Sequence, residues 1–184
     1  MLTFKNSQNK TALLLLITSV ISMLISLFFS EDSLGGARHD YLYHEKYFFL
    51  FSNNFYETFM NYGLDISVRN SPIFYMLFGF FLKLGFGIKT LKFINFLILV
   101  PLSIFFVKCL NVKYPLINKE TKIIFLSVLF LSPTIRSLIS WPYPFLWGLT
   151  FFIISLYFFL KFQKESSYIK KIRYTYLNII FLSL

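Results

Sequence analysis

One cysteine, Cys109, and two histidines, His39 and His44, are all the thiol and imidazole side chains among the 184 residues. A disulfide framework within the chain is excluded, and a zinc site of the usual four-ligand kind has too few donors. Charge is scarce too, at 14% of residues, against about 25% in soluble domains. No glycine-rich phosphate loop, hydrolase elbow, HExxH or CxxC pattern occurs, so no nucleotide, protease or redox-motif class has a foothold. Low charge with high apolar content also excludes disorder.

What is present is apolar. Hydrophobic residues make up 57% of the chain and aromatics 22%, including 26 Phe, and the mean hydropathy is +0.65. A soluble domain of this length cannot bury that much apolar surface. The composition indicates an all-α, polytopic transmembrane helical bundle and a multi-pass integral membrane protein in contact with membrane lipids. Net charge is +10. Lys and Arg gather at the ends of apolar runs, which is the membrane pattern and leaves no separate basic face for nucleic acid.

Residues 11–29 form an uncharged run of 19 residues. At about 1.5 Å per residue that suffices for a bilayer core of about 30 Å. Further segments are expected at 71–88, 93–107 (a span or a re-entrant segment, with Pro101 at its centre), 123–139 and 145–160. Residues 174–184 read as the start of another. That makes about four to five membrane segments in a single membrane domain, 1–184, expected to be the N-terminal fragment of a longer chain. The Phe, Ile, Lys, Asn and Tyr excess fits codon bias in an AT-rich genome. A bacterial inner membrane is the expected location, with the N-terminus cytoplasmic.

Residues 30–70 differ in kind. They hold six of the eight acids, three of the eighteen bases and both histidines, which places this loop outside. Apolar residues recur at near-helical spacing at Tyr47, Phe48, Leu50, Phe51, Phe55 and Phe59, so the external loop is expected to contain an interfacial amphipathic helix. Two orders of crossing compete beyond it. Simple alternation puts the lysines of 108–122 outside. The charge rule instead puts everything from Lys83 to Lys122 inside, with 93–107 re-entrant, and is preferred.

Within GGARHDYLYHEKYFF, Asp40 and His44 are four apart and share a helical face, with Glu45 beside them. A carboxylate at the membrane surface can act as a base, bind a metal or hold an acceptor hydroxyl. Glu31-Asp32 follows the first apolar run at headgroup level. Arg69 precedes Pro72, and Arg136 lies in the interruption SPTIRSLISWPYP. Guanidinium groups at those places suit an anionic ligand such as phosphate. Trp141, Tyr143 and Trp147 read as an interfacial aromatic belt.

The order of features resembles the N-terminal part of the C-type integral-membrane glycosyltransferases. One helix is followed by an acidic external loop carrying an Asp. RNSPIFYMLFGFFLKLGFG then leads into an apolar helix, and LFLSPTIRSLISWPYPFLWGLTFFIISLYFFLKF follows farther on. The resemblance covers residues 11 to about 163 and is one of hydropathy with a few residues. It implies a lipid-phosphate-linked sugar as donor and transfer on the outer face of the membrane. It implies Asp40, or second Asp32, as the catalytic acid residue acting as base or binding a metal or the acceptor. Arg69 would lie near the donor phosphate, with His44, Glu45 and Arg136 as substrate-binding candidates. No cofactor is certain, and a divalent metal is possible. Many members carry a second acid in the later external loop. Here Ser140-Trp141-Pro142-Tyr143 has none, a departure that bears on metal binding. Competing expectations are a polytopic polysaccharide polymerase or ligase, a non-enzymatic membrane protein, or a gene fragment. A transporter is disfavoured because the apolar runs carry almost no charge.

Overall fold

The structure, a computed structural model, describes residues 2–32, 35–64 and 70–184, with side chains from residue 9 onward. The described residues are helical, with no strand among them. The first helix, α1 (Leu2–Phe29), ends where Ser30 turns into the left-handed region at φ 52°. Its buried face carries Ala12, Ser19, Met23 and Ser26 at intervals that keep one stripe inward. The small residues let α1 lie close along α7 (Lys119–Leu131) and α8 (Pro133–Ser140).

Next, α2 (Ala37–Asn53) and the short α3 (Phe55–Met60) carry the amphipathic stretch. The inward face of α2 is Ala37, Tyr41, His44, Tyr47, Phe48 and Phe51. It packs on α4 (Pro72–Lys83), while Leu50, Phe55 and Phe59 stay exposed. The contact is aromatic: the Phe48 and Phe78 rings stack at 5.0 Å, and Phe74 meets Phe78 at 4.6 Å. Gly79 makes it possible, because a Cβ there would lie 2.6 Å from the Phe51 Cβ.

α4 is shorter than the expected segment 71–88. Its 12 residues span about 18 Å, short of a bilayer core of about 30 Å. Leu84 and a left-handed Gly85 (φ 88°) end it. The chain then enters α5 (Ile88–Leu97) and α6 (Leu99–Lys113). These two run on as one helical pass of 26 residues, long and apolar enough to cross. Residues 93–107, expected as a span or a re-entrant segment, lie within this one helical stretch. Pro101 falls in the first turn of α6, where its missing N–H has no helical partner to lose. The break in the helix is confined to Ile98.

The sharp bend lies elsewhere. α7 and α8 meet at 62° across Ser132-Pro133. Pro133 holds Ser132 extended (φ −57°, ψ 127°) and starts the new helix. Tyr143, extended before Pro144, likewise sets up α9 (Pro144–Lys164), and α10 (Tyr168–Ser183) folds back on α9. Asn178 fixes that hairpin by donating to the Ser155 carbonyl at 2.8 Å. Among the described residues three helices, or four counting the bent pair, are long and apolar enough to span a membrane. They are Asn9–Phe29, Ile88–Lys113, the pair Lys119–Leu131 with Pro133–Ser140, and Pro144–Lys164.

Two cores result. An aromatic cap joins α2 and α4 to Leu91 and Trp141. An aliphatic core around Leu102, Ile139 and Leu146 joins the long helices.

Candidate functional site

The cap and the bundle meet at the end of α1. There Arg136 pairs with the Glu31 carboxylate at 3.1 Å and donates to the Ser22 hydroxyl at 3.0 Å. Trp141 donates its indole N–H to the Glu31 carbonyl at 2.9 Å, and Ser140 donates to the Ser26 carbonyl at 2.7 Å. Lys92, at the start of the α5–α6 pass, sits over the Trp141 ring at 3.8 Å and donates to Ser30. Trp147 donates to Asn95, whose amide donates to the carbonyls of Leu138 and Ile139. Trp141 and Trp147 are thus packed hydrogen-bond donors.

This packing opens a cleft of about 380 Å³ between the start of α2 and the bent helix, lined by Gly35, Gly36, Asp40, Thr134, Tyr143 and Phe145. Asp40 is exposed on the first turn of α2. Tyr143 lines the same cleft, and burial first, then the nearby Asp40 carboxylate, raise its phenol above its ordinary pKa. An ionised carboxylate only accepts, so Asp40 offers the cleft acceptor oxygens.

The other expected residues separate by role. Asp32 is exposed but engaged. Its Oδ1 accepts from the backbone N–H groups of Gly36 and Arg38, at 3.2 and 3.4 Å, and so secures the start of α2. His44 is 5% exposed, with Nδ1 at 2.6 Å from the Tyr75 hydroxyl and its ring edge-to-face with Tyr143 at 4.6 Å. Burial lowers its pKa to about 4, partly offset by the neighbouring Asp40. Glu45 accepts from the Tyr41 hydroxyl at 3.1 Å. Burial, then that carboxylate, push the Tyr41 phenol well up. Arg136 is committed to Glu31 and Ser22, and its Nε is buried without a hydrogen-bond partner. Arg69 lies outside the described residues.

Thr134 and Tyr143 complete the cleft and were not singled out as ligand-facing from sequence. The signal was there only in part: both lie in the Pro-rich interruption, but the contact with α2 spans about a hundred residues of chain. Among the described residues no three of His, Cys, Asp and Glu come together to hold a metal ion. Asp40 is the acid on the cleft lining, and Tyr143 and Thr134 add hydroxyls beside it. Cys109 is buried on α6 and donates to the Ile153 carbonyl.

No family model matches this chain, and neither a curated protein nor a solved structure matches it.

Proposed function

We propose that the protein is a membrane glycosyltransferase that moves a sugar from a lipid-phosphate donor to an acceptor on the outer face of a bacterial inner membrane. The observation that carries this reading is the Asp40 cleft, an exposed carboxylate in an open pocket beside the Tyr143 and Thr134 side chains at the membrane-flanking end of the bundle.

Charge supports the orientation. The segments 2–10, 108–122 and 161–173 hold eleven of the eighteen bases and two of the eight acids. Lys164 donates to the Val112 carbonyl, which joins two of these segments at one end of the bundle. Lys92, Glu31 and Trp141 meet at the other. A cytoplasmic N-terminus puts the basic end inside and the Asp40 cleft outside, with α4 not crossing.

An apolar groove of about 230 Å³ between α4 and α9 shares Phe145 with the cleft and is lined by Phe74, Leu77, Leu149 and Phe151. This groove is the proposed seat of the donor's lipid chain, with the head group at the adjoining cleft. The phosphate is already a good leaving group, so the protein's work is positioning and proton removal. Asp40 takes the proton of the acceptor hydroxyl as that oxygen bonds to the anomeric carbon and the donor phosphate departs with its electron pair.

The test is Asp40→Asn in the full-length protein, assayed for transfer from lipid-phosphate-linked sugars in native membranes. Loss of a general base is expected to lower the rate by about 10²–10⁴-fold. Transfer at the wild-type rate by the variant overturns the assignment.

A further inference from the structure

The α9–α10 hairpin forms a groove at the basic end of the bundle, opposite the Asp40 cleft. Four pairs step along the two helices in antiparallel register. Lys171 lies over the Phe162 ring at 5.6 Å, Phe158 meets Tyr174 at 6.2 Å, Asn178 donates to Ser155, and Phe151 meets Phe181 at 6.3 Å. α10 therefore runs back along α9, whose membrane-spanning stretch ends at Lys164. Phe162 stands just before that end, so the Lys171 ammonium beside it lies at head-group level.

The groove measures about 520 Å³ and is lined by Phe162, Tyr168, Lys171, Ile172, Thr175 and Tyr176. Thr175 spends its hydroxyl hydrogen on the Lys171 carbonyl at 3.0 Å, whereas Tyr168 and Tyr176 are exposed and carry phenolic O–H donors. Residues 161–173 hold five bases and one acid. That acid, Glu165, accepts from the backbone N–H groups of Ser166 and Ser167 and pairs with Lys170 at 3.8 Å. Among the described residues no carboxylate lies within ion-pair reach of Lys171. From the groove toward the bilayer interior, Ile172, Tyr176 and Ile179 recur at steps of four and three and are all exposed. That stripe is about 10 Å long. A free anion would leave the stripe bare, and an apolar helix would leave the Lys171 charge unmatched. An amphiphile with an anionic head and an apolar chain meets both, and a membrane supplies it.

We infer that the α9–α10 groove binds an anionic phospholipid, with its phosphate at Lys171 and Tyr168 and an acyl chain along Ile172, Tyr176 and Ile179. None of these residues lines the Asp40 cleft, so the inference stands or falls independently of sugar transfer.

Native mass spectrometry of the full-length protein in a neutral detergent tests it by counting bound molecules. The protein is titrated with phosphatidylglycerol, with phosphatidylcholine of the same acyl chains, and with glycerol phosphate. The first phosphatidylglycerol is expected to bind about five-fold tighter than phosphatidylcholine, the worth of one lysine near a membrane surface. Glycerol phosphate at the same concentration is expected not to displace it. Lys171→Gln is expected to erase the preference, and Lys171→Arg to retain it. Ile179→Ser is expected to weaken both lipids alike. Lys119→Gln removes the same charge from α7, away from the groove, and is expected to leave the preference intact. Equal binding of the two lipids by the wild type overturns the inference and needs no variant to be read. A loss in Lys119→Gln equal to that in Lys171→Gln overturns it too, because net charge alone is then at work. Displacement by glycerol phosphate makes the groove a free-anion site and removes the lipid. A dimer that excludes lipid and comes apart in Ile179→Ser means that a second copy covers the stripe, which likewise overturns it.

Discussion

The Arg136 guanidinium lies 3.1 Å from the Glu31 carboxylate, and this contact ties the second half of the bent helix to the end of α1. Both side chains are less than one third exposed. An arginine in a membrane-flanking helix is costly unless its charge is met. Arg136 keeps one partner in Ser22, a neutral hydroxyl, when Glu31 is lost. Glu31→Gln is therefore expected to destabilise the fold by about 1–2 kcal/mol, between the surface and the fully buried cases. Arg136→Leu is expected to cost less, because it removes the charge and the unpartnered Nε together. Unfolding in mixed detergent micelles reads both. A Glu31→Gln protein as stable as wild type means that the pair contributes nothing.

His44 gives the fold an acid limit. Its folded-state pKa is lowered from 6.5 to about 4 by burial. Between those two values the unfolded chain binds the proton and the folded chain does not. The stability is whole above about pH 6.5 and is lost as the pH falls toward 4. The size is on the order of 2–3 kcal/mol over that window. His44→Gln is expected to flatten this part of the stability–pH curve relative to wild type. His39→Gln, at an exposed position, is expected to leave it unchanged. Parallel curves for wild type and His44→Gln between pH 4 and 6.5 contradict the burial of a neutral imidazole.

How far the sequence already told this story differs by element. The α1 and α9 passes were legible because each is an uninterrupted apolar run, and length alone decides that a helix crosses. Over 71–88 the helix is shorter than the expected segment: α4 ends at Lys83, and the chain turns at Leu84 and Gly85. Pro101 was legible as a potential break, but its place within a turn was not. A proline breaks a helix from its interior but is harmless in a first turn, and which it is depends on where Ile98 breaks the helix. At the site, Asp40 and His44 could be paired because helical spacing is local. The Glu31–Arg136 pair, the Trp141 bond to Glu31 and the closing of the cleft by Tyr143 join residues about a hundred apart. No periodicity encodes that. Asp32 shows the opposite error: a carboxylate with the right place for chemistry is spent on two backbone N–H groups.

The path of Ile88–Lys113 makes a labelling prediction. Lys83 and Glu57 belong to the cap, and Asn118 lies beyond the far end of the pass; all three are exposed. In a Cys109→Ser background, Lys83→Cys and Glu57→Cys are expected to react with a membrane-impermeant thiol reagent from one side. Asn118→Cys is expected to react only from the other, with Lys10→Cys. Labelling of Lys83→Cys and Asn118→Cys from the same side means that 88–113 does not cross and restores the re-entrant path.

Two helical glycines separate packing from propensity. A Cβ on Gly79 would meet the Phe51 Cβ at 2.6 Å and the Phe48 carbonyl at 3.0 Å. The first lies at the base of a side chain and the second on the backbone, so neither moves without shifting α2 against α4. Gly79→Ala is expected to cost about 1–3 kcal/mol through overpacking. Gly148, in α9, has nothing within 4 Å of its added Cβ. There the helix preference for Ala operates alone, and Gly148→Ala is expected to be neutral or to stabilise by up to about 1 kcal/mol. Equal stabilities for the two variants, measured by the same unfolding assay, mean that α2 and α4 do not approach as closely as the Phe48–Phe78 stack requires.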